Sequence, residues 1–265
     1  MKLQGCTALI TGASAGIGRE FARQLAPEAK TIVLVARRLD QLEQLRDELT
    51  GHYPKLSVHV RAVDLSEEEH ISALIEWLDT EKISIDLLIN NAGLGDIGPF
   101  VMSDPQQVRQ IILVNILALT SLTRRLLPGM KTRGSGGILN VSSSAGFLPI
   151  PGFAVYAASK AYVTSFSEGL RAEVVGSGVN VTALCPGPVE TEFTTVAYRP
   201  GERARPSPKF VRVAATKVAR IGLDALEQNR PLVIPGVVIK IVMFLGRITP
   251  ISILRMVWRF GVKRS

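Results

Sequence analysis

At 265 residues, 46% hydrophobic and 20% charged, with mean hydropathy +0.24, the chain is too apolar for a disordered segment and long enough to bury a large core. The formal net charge of +8 is concentrated at one end: residues 1–198 carry 17 Lys+Arg against 20 Asp+Glu, and residues 199–265 carry 14 against 3. No RNP, zinc-finger or basic-zipper pattern accompanies the basic end, so nucleic acid is not expected as a partner.

The opening MKLQGCTALITG holds an apolar run too short for a secretory signal, and no signal peptide is expected. Cys6 and Cys185 stand far apart in apolar contexts with no framework spacing, which reads as two core thiols of a reduced, cytoplasmic protein. His52, His59 and His70 fall in no paired-ligand spacing, so no metal is expected.

Short β-branched runs alternate with helical segments: TALIT (7–11), TIVLVA (31–36), SVHVRAVD (57–64), DLLIN (86–90), GGILNVS (136–142) and NVTALCPG (180–187). Strands separated by helices of a dozen or more residues require parallel crossover units. The expected fold class is α/β: a single doubly wound Rossmann domain with a seven-stranded, mostly parallel sheet whose strands are apolar on both faces.

The first strand ends in TGASAGIGRE, where Gly12, Gly16 and Gly18 follow a strand and open a helix. Glycines allow a tight turn and close approach to a pyrophosphate, and the helix N-terminus offers free N–H groups. The second strand ends in VLVARRLD, with Arg37 and Arg38 where an NAD site would carry a carboxylate. Guanidinium groups bind a 2′-phosphate by paired hydrogen bonds, so NADP(H) is preferred over NAD(H). Asp64 either accepts from the adenine amino group or caps the helix expected near Ser66.

In VYAASKAY (155–162), Tyr156 and Lys160 lie about 40° apart on one helical face, while Tyr162 lies about 200° beyond Lys160 and is expected to pack elsewhere. An ammonium beside a phenol favours phenolate and lowers its pKa. Upstream, ILNVSSSAG places Ser142, Ser143 and Ser144 at a strand's carboxyl end, where a hydroxyl would hydrogen-bond a substrate carbonyl.

With TGASAGIG, NNAG at 90–93, the serine run, the Tyr156–Lys160 pair and PGPVET at 186–191 in order, the sequence resembles the classical short-chain dehydrogenase/reductase family over roughly residues 5–195. The resemblance implies a hydride-transferring oxidoreductase acting on a carbonyl or secondary alcohol. It implies Ser143, thirteen residues before Tyr156, as the catalytic serine, Tyr156 as general acid or base, and Lys160 as ribose contact that lowers the tyrosine pKa. Asn115 in LVNIL would complete a proton relay. The implied cofactor contacts are Gly12, Ser14, Gly16, Ile17 and Gly18 in the turn, and Arg37, Arg38, Asp64 and Leu65 at the adenosine end. Asn91, Ala92 and Gly93 follow, with Asn90 on the same strand, then Pro186, Gly187, Val189 and Thr191 beside the nicotinamide. Ser14 and Arg37 match positions that contact the 2′-phosphate in NADP-preferring members, whereas Ala15 departs from the basic residue some of them carry. The alternatives are a non-catalytic NADP-sensing protein on the same fold and, less suited to a chain without an added substrate domain, an epimerase or dehydratase.

Residues 1–236 are expected to form the catalytic domain, with a mobile substrate loop at about 188–212. Residues 237–265 are a basic, apolar extension of two amphipathic helices, not an independent domain. Lys240 and Arg247 share a face of the first, and Ser252, Arg255 and Arg259 a face of the second, after Pro250. The longest charge-free run of the tail from Pro231 onward, Pro231 to Ile239, is nine residues, too short for the roughly 20 that span a bilayer. The extension fits a lid over an apolar pocket, an interface in a homodimer or homotetramer, a peripheral patch for anionic membrane, or a basic dock for acidic carriers.

Overall fold

The computed structural model describes residues 1–199 and 207–250, with Ser252, Ile253, Arg255 and Met256 beyond them. Seven strands form one sheet: β1 (Thr7–Thr11), β2 (Thr31–Ala36), β3 (Ser57–Ala62), β4 (Leu87–Asn90), β5 (Gly136–Val141), β6 (Val179–Leu184) and β7 (Leu232–Val233). Their order is β3-β2-β1-β4-β5-β6-β7 and every neighbouring pair is parallel, so the expected "mostly parallel" sheet is parallel throughout. The strand order reverses between β1 and β4, which opens a crevice at their carboxyl ends.

Period-two alternation divides the central strands between two cores. Ala8, Ile10, Ile32 and Leu34 face α1 (Gly16–Leu25), α2 (Leu39–His52) and α8 (Ala215–Glu227). Leu9, Val33, Val35 and Leu88 face α3 (Glu68–Thr80), α5 (Leu119–Thr132) and α6 (Ala154–Glu173). The edge strand β3 departs from the expected two-sided burial, because only β2 flanks it and its residues are half-buried or exposed. It also ends at Ala62, which leaves Asp64 in the following turn.

Between β4 and β5 the chain forms α4 (Pro105–Ile112), started by Asp104, whose carboxylate accepts from Gln106 N–H at 2.9 Å. A π-helical stretch, Leu113–Ala118, joins it to α5 and holds Asn115. The whole segment Pro105–Thr132 passes for a membrane span by length and composition, but its Ala118, Leu122 and Met130 are buried in the core beside the sheet.

The region expected as a mobile loop contains α7 (Glu192–Ala197), capped by Thr191, and a 3-10 turn at Lys209–Val211. Residues 200–206 of that loop lie outside the described residues. The tail forms α9 (Val237–Ile248), which packs back on the domain: a Cβ at Gly187 would lie 2.6 Å from Ile239 Cγ1. Of the second expected helix only four residues are described, all helical, and Arg259 lies outside them.

Candidate active site

The crevice is a cleft of about 690 Å³ that runs from Arg38 at one end to Met243 at the other. Its first part is built on the turn after β1. Gly12 has φ +64°, and a Cβ there would lie 2.8 Å from Asn91 Nδ2 and 2.9 Å from Ala92 Cα. Any side chain is therefore refused by both conformation and space. The N-cap of α1, Ala15, makes no side-chain cap, so the first N–H groups of this helix are not claimed by a cap at the cleft wall that Ala15, Gly16 and Ile17 form.

Gly18, expected as a cofactor contact, does not line the cleft. A Cβ there would collide with the Gly12 carbonyl oxygen and with Asn91 Nδ2, so this glycine lets α1 seat against the turn. Asn91 closes the arrangement by donating through Nδ2 to Thr11 O at 2.9 Å and Gly12 O at 3.2 Å. Asn90 is also turned away: it is buried and donates to Asn140 Oδ1 at 2.9 Å and Thr123 Oγ1 at 3.1 Å.

Arg37, Arg38, Asp64 and Leu65 meet at the outer end of the cleft. Arg38 donates to Ser14 Oγ at 3.2 Å and to Glu192 Oε2 at 3.0 Å, which ties the glycine turn to α7. Both partners of the Arg38–Glu192 pair are exposed, so the pair is weakly held. Asp64 Oδ1 accepts from Ser66 N–H at 2.9 Å and Ser66 Oγ at 2.8 Å, while α3 starts later, at Glu68 with Glu67 as N-cap. Asp64 thus closes a turn on the cleft wall and caps no helix. Burial pushes its carboxyl up, but the Ser66 bonds, with Arg37 and His70 nearby, outweigh this and hold it below the usual range.

The inner part is set by α6 and the end of β5. Tyr156, Lys160 and Ser143 all line the cleft and all are buried. The Tyr156 phenol is pushed up to about 12 by burial, with a hydrogen bond to the Ser143 hydroxyl pulling the other way. Lys160 Nζ donates to Val141 O at 2.8 Å and lies 5.7 Å from the Tyr156 ring centroid. Burial lowers Lys160 to about 8, with Cys185 opposing. The ammonium is held by a backbone carbonyl, and burial is the largest influence on both groups.

All three serines of the run line the cleft, and their bonds differ. Ser142 Oγ donates to Lys160 O at 2.7 Å. Ser143 Oγ accepts from Ala145 N–H at 3.1 Å and donates to Pro186 O at 3.5 Å, which leaves it at the cleft surface beside Tyr156. Asn115 does not line the cleft. Its Oδ1 accepts from Leu94 N–H at 2.8 Å, and its Nδ2 donates to Leu94 O at 3.0 Å and Ser159 Oγ at 2.9 Å. It stays close to the centre, because a Cβ at Gly93 would lie 3.3 Å from Lys160 Nζ and 3.4 Å from Asn115 Oδ1. Tyr162 is outside the cleft, stacked on Phe166 and bonded to Thr120 Oγ1 at 3.0 Å.

Beyond Tyr156 the lining is apolar. Phe153 stacks on the Tyr156 ring at 4.2 Å between centroids, and Phe193 approaches it at 5.3 Å. Leu148, Ile150, Val196 and Met243 continue the wall. Phe153, one helical turn before Tyr156, is the part of this wall legible in the sequence. No motif in the sequence signals a part-buried pair that pins the loop after β6 to the loop after β4: Arg199 donates to Asp96 from Nε and Nη2, both at 2.8 Å. The Arg199 bond, with a Ser103 hydroxyl, holds the Asp96 carboxyl below its usual range against burial.

Residues 6–200 match the family model described as short chain dehydrogenase. The chain belongs to this family. It is accordingly an oxidoreductase acting on CH–OH and C=O groups. It is 35% identical over 263 residues to "Ketoacyl reductase HetN" of Nostoc sp., covering 98% of this chain and 91% of the relative. It is 33% identical over 225 residues to a "Very-long-chain 3-oxoacyl-CoA reductase" of Anas platyrhynchos, covering 83% and 70%. Among solved structures, a short-chain dehydrogenase from Sphingobium yanoikuyae in complex with NADPH aligns with a TM-score of 0.80 at 31% identity, covering 88% of each chain.

The donor set of the cleft fits a nicotinamide dinucleotide: a side-chain-free turn, an uncapped helix N-terminus, two arginines at one end and the Ser143–Tyr156–Lys160 group at the other. Among the described residues no group of three or more potential metal ligands occurs.

Proposed function

We propose that this protein is an NADP(H)-dependent reductase of an apolar ketone or 3-oxoacyl compound, with Tyr156 as the proton donor. The observation that carries this reading is the position of the Ser143–Tyr156 pair, at the junction between the polar and the apolar parts of one cleft. Bound in that cleft, a nicotinamide dinucleotide supplies the hydride.

The chain's own residues do the rest. Arg37 and Arg38, with the Ser14 hydroxyl, bind the 2′-phosphate through charge-assisted bonds. The glycine turn and the α1 N-terminus hold the pyrophosphate, and Val189 and Thr191 border the nicotinamide end. Lys160, anchored on Val141 O, presents its remaining N–H bonds toward the ribose. Ser143 donates to the substrate carbonyl oxygen, and Tyr156 delivers a proton to that oxygen as charge develops on it. Burial raises the phenol to about 12, so the resting group is protonated at neutral pH and ready to act as the acid in reduction. Asn115 orders the Leu94 backbone and Ser159 behind Lys160 as a positioning residue.

Phe153, Phe193, Leu148, Ile150 and Met243 favour an uncharged, lipid-like reacting end. The two 3-oxoacyl-type relatives support the same class. A dimer or tetramer is part of the proposal, and exposed Ile112, Leu117 and Tyr162 are the side chains it would cover. A panel of ketones, aldehydes and 3-oxoacyl thioesters with NADPH and NADH tests the reading. NADPH oxidation is expected with the longer apolar members, and Tyr156→Phe is expected to abolish it. Full activity in that variant would refute the mechanism.

A further inference from the structure

Helix α9 has an apolar inner side and an apolar outer side. Inward, Ile239 is buried against Gly187, Met243 lines the cleft and Gly246 packs on Leu148. Outward, Val237, Ile241, Phe244, Leu245 and Ile248 are all more than half exposed, at 75%, 54%, 65%, 52% and 62%. At about 100° per residue these five occupy one arc opposite the packed residues. Lys240 flanks that arc and is exposed. Beside α9, the 3-10 turn at Lys209–Val211 exposes Phe210. An outward apolar surface of this size on one element marks a contact with something else.

We propose that the outer face of α9 docks on an anionic membrane surface, with the apolar end of the cleft held beside the lipid. Twelve residues make a helix of about 18 Å, too short to cross a hydrocarbon core of about 30 Å, so α9 lies in the interface plane. Charge selects lipid over a second copy. Residues 199–265 carry 14 Lys+Arg against 3 Asp+Glu. On α9 itself, exposed Lys240 borders the apolar arc and the helix carries no acidic residue, so a second copy of this face offers it no opposite charge, whereas anionic headgroups do. The orientation of the cleft toward lipid rests on the reductase reading; the docking itself does not.

The test is sedimentation of the full chain with phosphatidylcholine vesicles, alone or containing phosphatidylglycerol, at low and high salt. Anionic vesicles are expected to pellet the protein roughly tenfold more strongly than neutral ones, with the difference reduced by salt. The triple variant Ile241→Ser, Phe244→Ser, Ile248→Ser should lose most of this binding while still oxidising NADPH with a water-soluble ketone. Phe244→Ser alone, the milder change, should lose part of it. No pelleting of the unmodified chain, or equal pelleting of the triple variant, would overturn the proposal. So would a triple variant that falls from dimer to monomer in sedimentation velocity, which would assign the face to a second copy. Vesicle binding is read without substrate, so failure on the ketone panel and failure to dock are separate results.

Discussion

Lys160 Nζ is hydrogen-bonded to the Val141 carbonyl at 2.8 Å and stands 5.7 Å from the centre of the Tyr156 ring, so its nearest oxygen partner is the end of β5 and not the phenol. Burying an ammonium with a single carbonyl acceptor is costly, and the cost appears as a lysine pulled from 10.5 to about 8.

The pH dependence of stability follows. Below about 8 the native and unfolded chains both carry the charge and the fold bears its full cost; between about 8 and 10.5 the native chain sheds the proton first and the cost is relieved. Urea unfolding of the unmodified chain and of Lys160→Met, without added cofactor, should show the variant more stable at neutral pH. The gap should narrow by up to about 3 kcal/mol as pH rises through that window. A gap independent of pH would mean that Lys160 titrates normally.

Tyr156 moves the opposite way. With its phenol raised to about 12, alcohol oxidation needs a base that is scarce at neutral pH, so the oxidation rate should climb with pH, toward tenfold per unit. Reduction should stay flat over the same range. Initial rates in both directions from about pH 6 to 9 check this, and a flat oxidation profile would remove Tyr156 as the base.

Cofactor choice is expected to reside in Arg37 and Arg38. The exposed Arg38–Glu192 pair releases its arginine at little cost, and each charge-assisted bond to a 2′-phosphate is worth about 1.5–3 kcal/mol. Arg38→Ala should therefore raise KM for NADPH about 10- to 100-fold, and Arg37→Ala added to it should raise KM further, with KM for NADH nearly unchanged in both. Equal losses for both cofactors would place the 2′-phosphate elsewhere.

Gly18→Ala tests the turn from behind. The new methyl meets the Gly12 carbonyl and Asn91, both fixed by backbone hydrogen bonds, so α1 must shift. Stability should fall by about 1–3 kcal/mol, and NADPH affinity should fall with it although Gly18 lines no part of the cleft. Calorimetry and cofactor fluorescence titration read the two effects separately.

Arg199→Ala removes the link between the loops after β4 and β6. The pair is only 17% and 8% exposed, so a loss of about 3 kcal/mol is expected. KM for bulky ketones should rise more than kcat falls, because the wall formed by α7 loosens. The Asp96 carboxyl is held low, so its contribution is complete above 3.8 and is lost as pH falls through the lower native value. Acid unfolding of the unmodified chain should therefore be steeper than that of the variant.

Residues whose job is dictated locally were legible without coordinates. Gly12 needs a left-handed turn, Tyr156 and Lys160 share a face by helical period, and alternating apolar runs separated by helices leave a parallel sheet as the consistent arrangement. Tertiary structure decided whatever depends on which distant atom arrives next. It gave Lys160 to Val141, turned Asn90 and Gly18 away from the cleft, and joined Asp96 to Arg199 across 103 positions. It also decided which side of α9 is covered. The period of a helix with only Lys240 and Arg247 among apolar residues names no single inner face, and only the arrival of Gly187 and Leu148 beneath Ile239 and Gly246 fixes which side is left for something outside the chain.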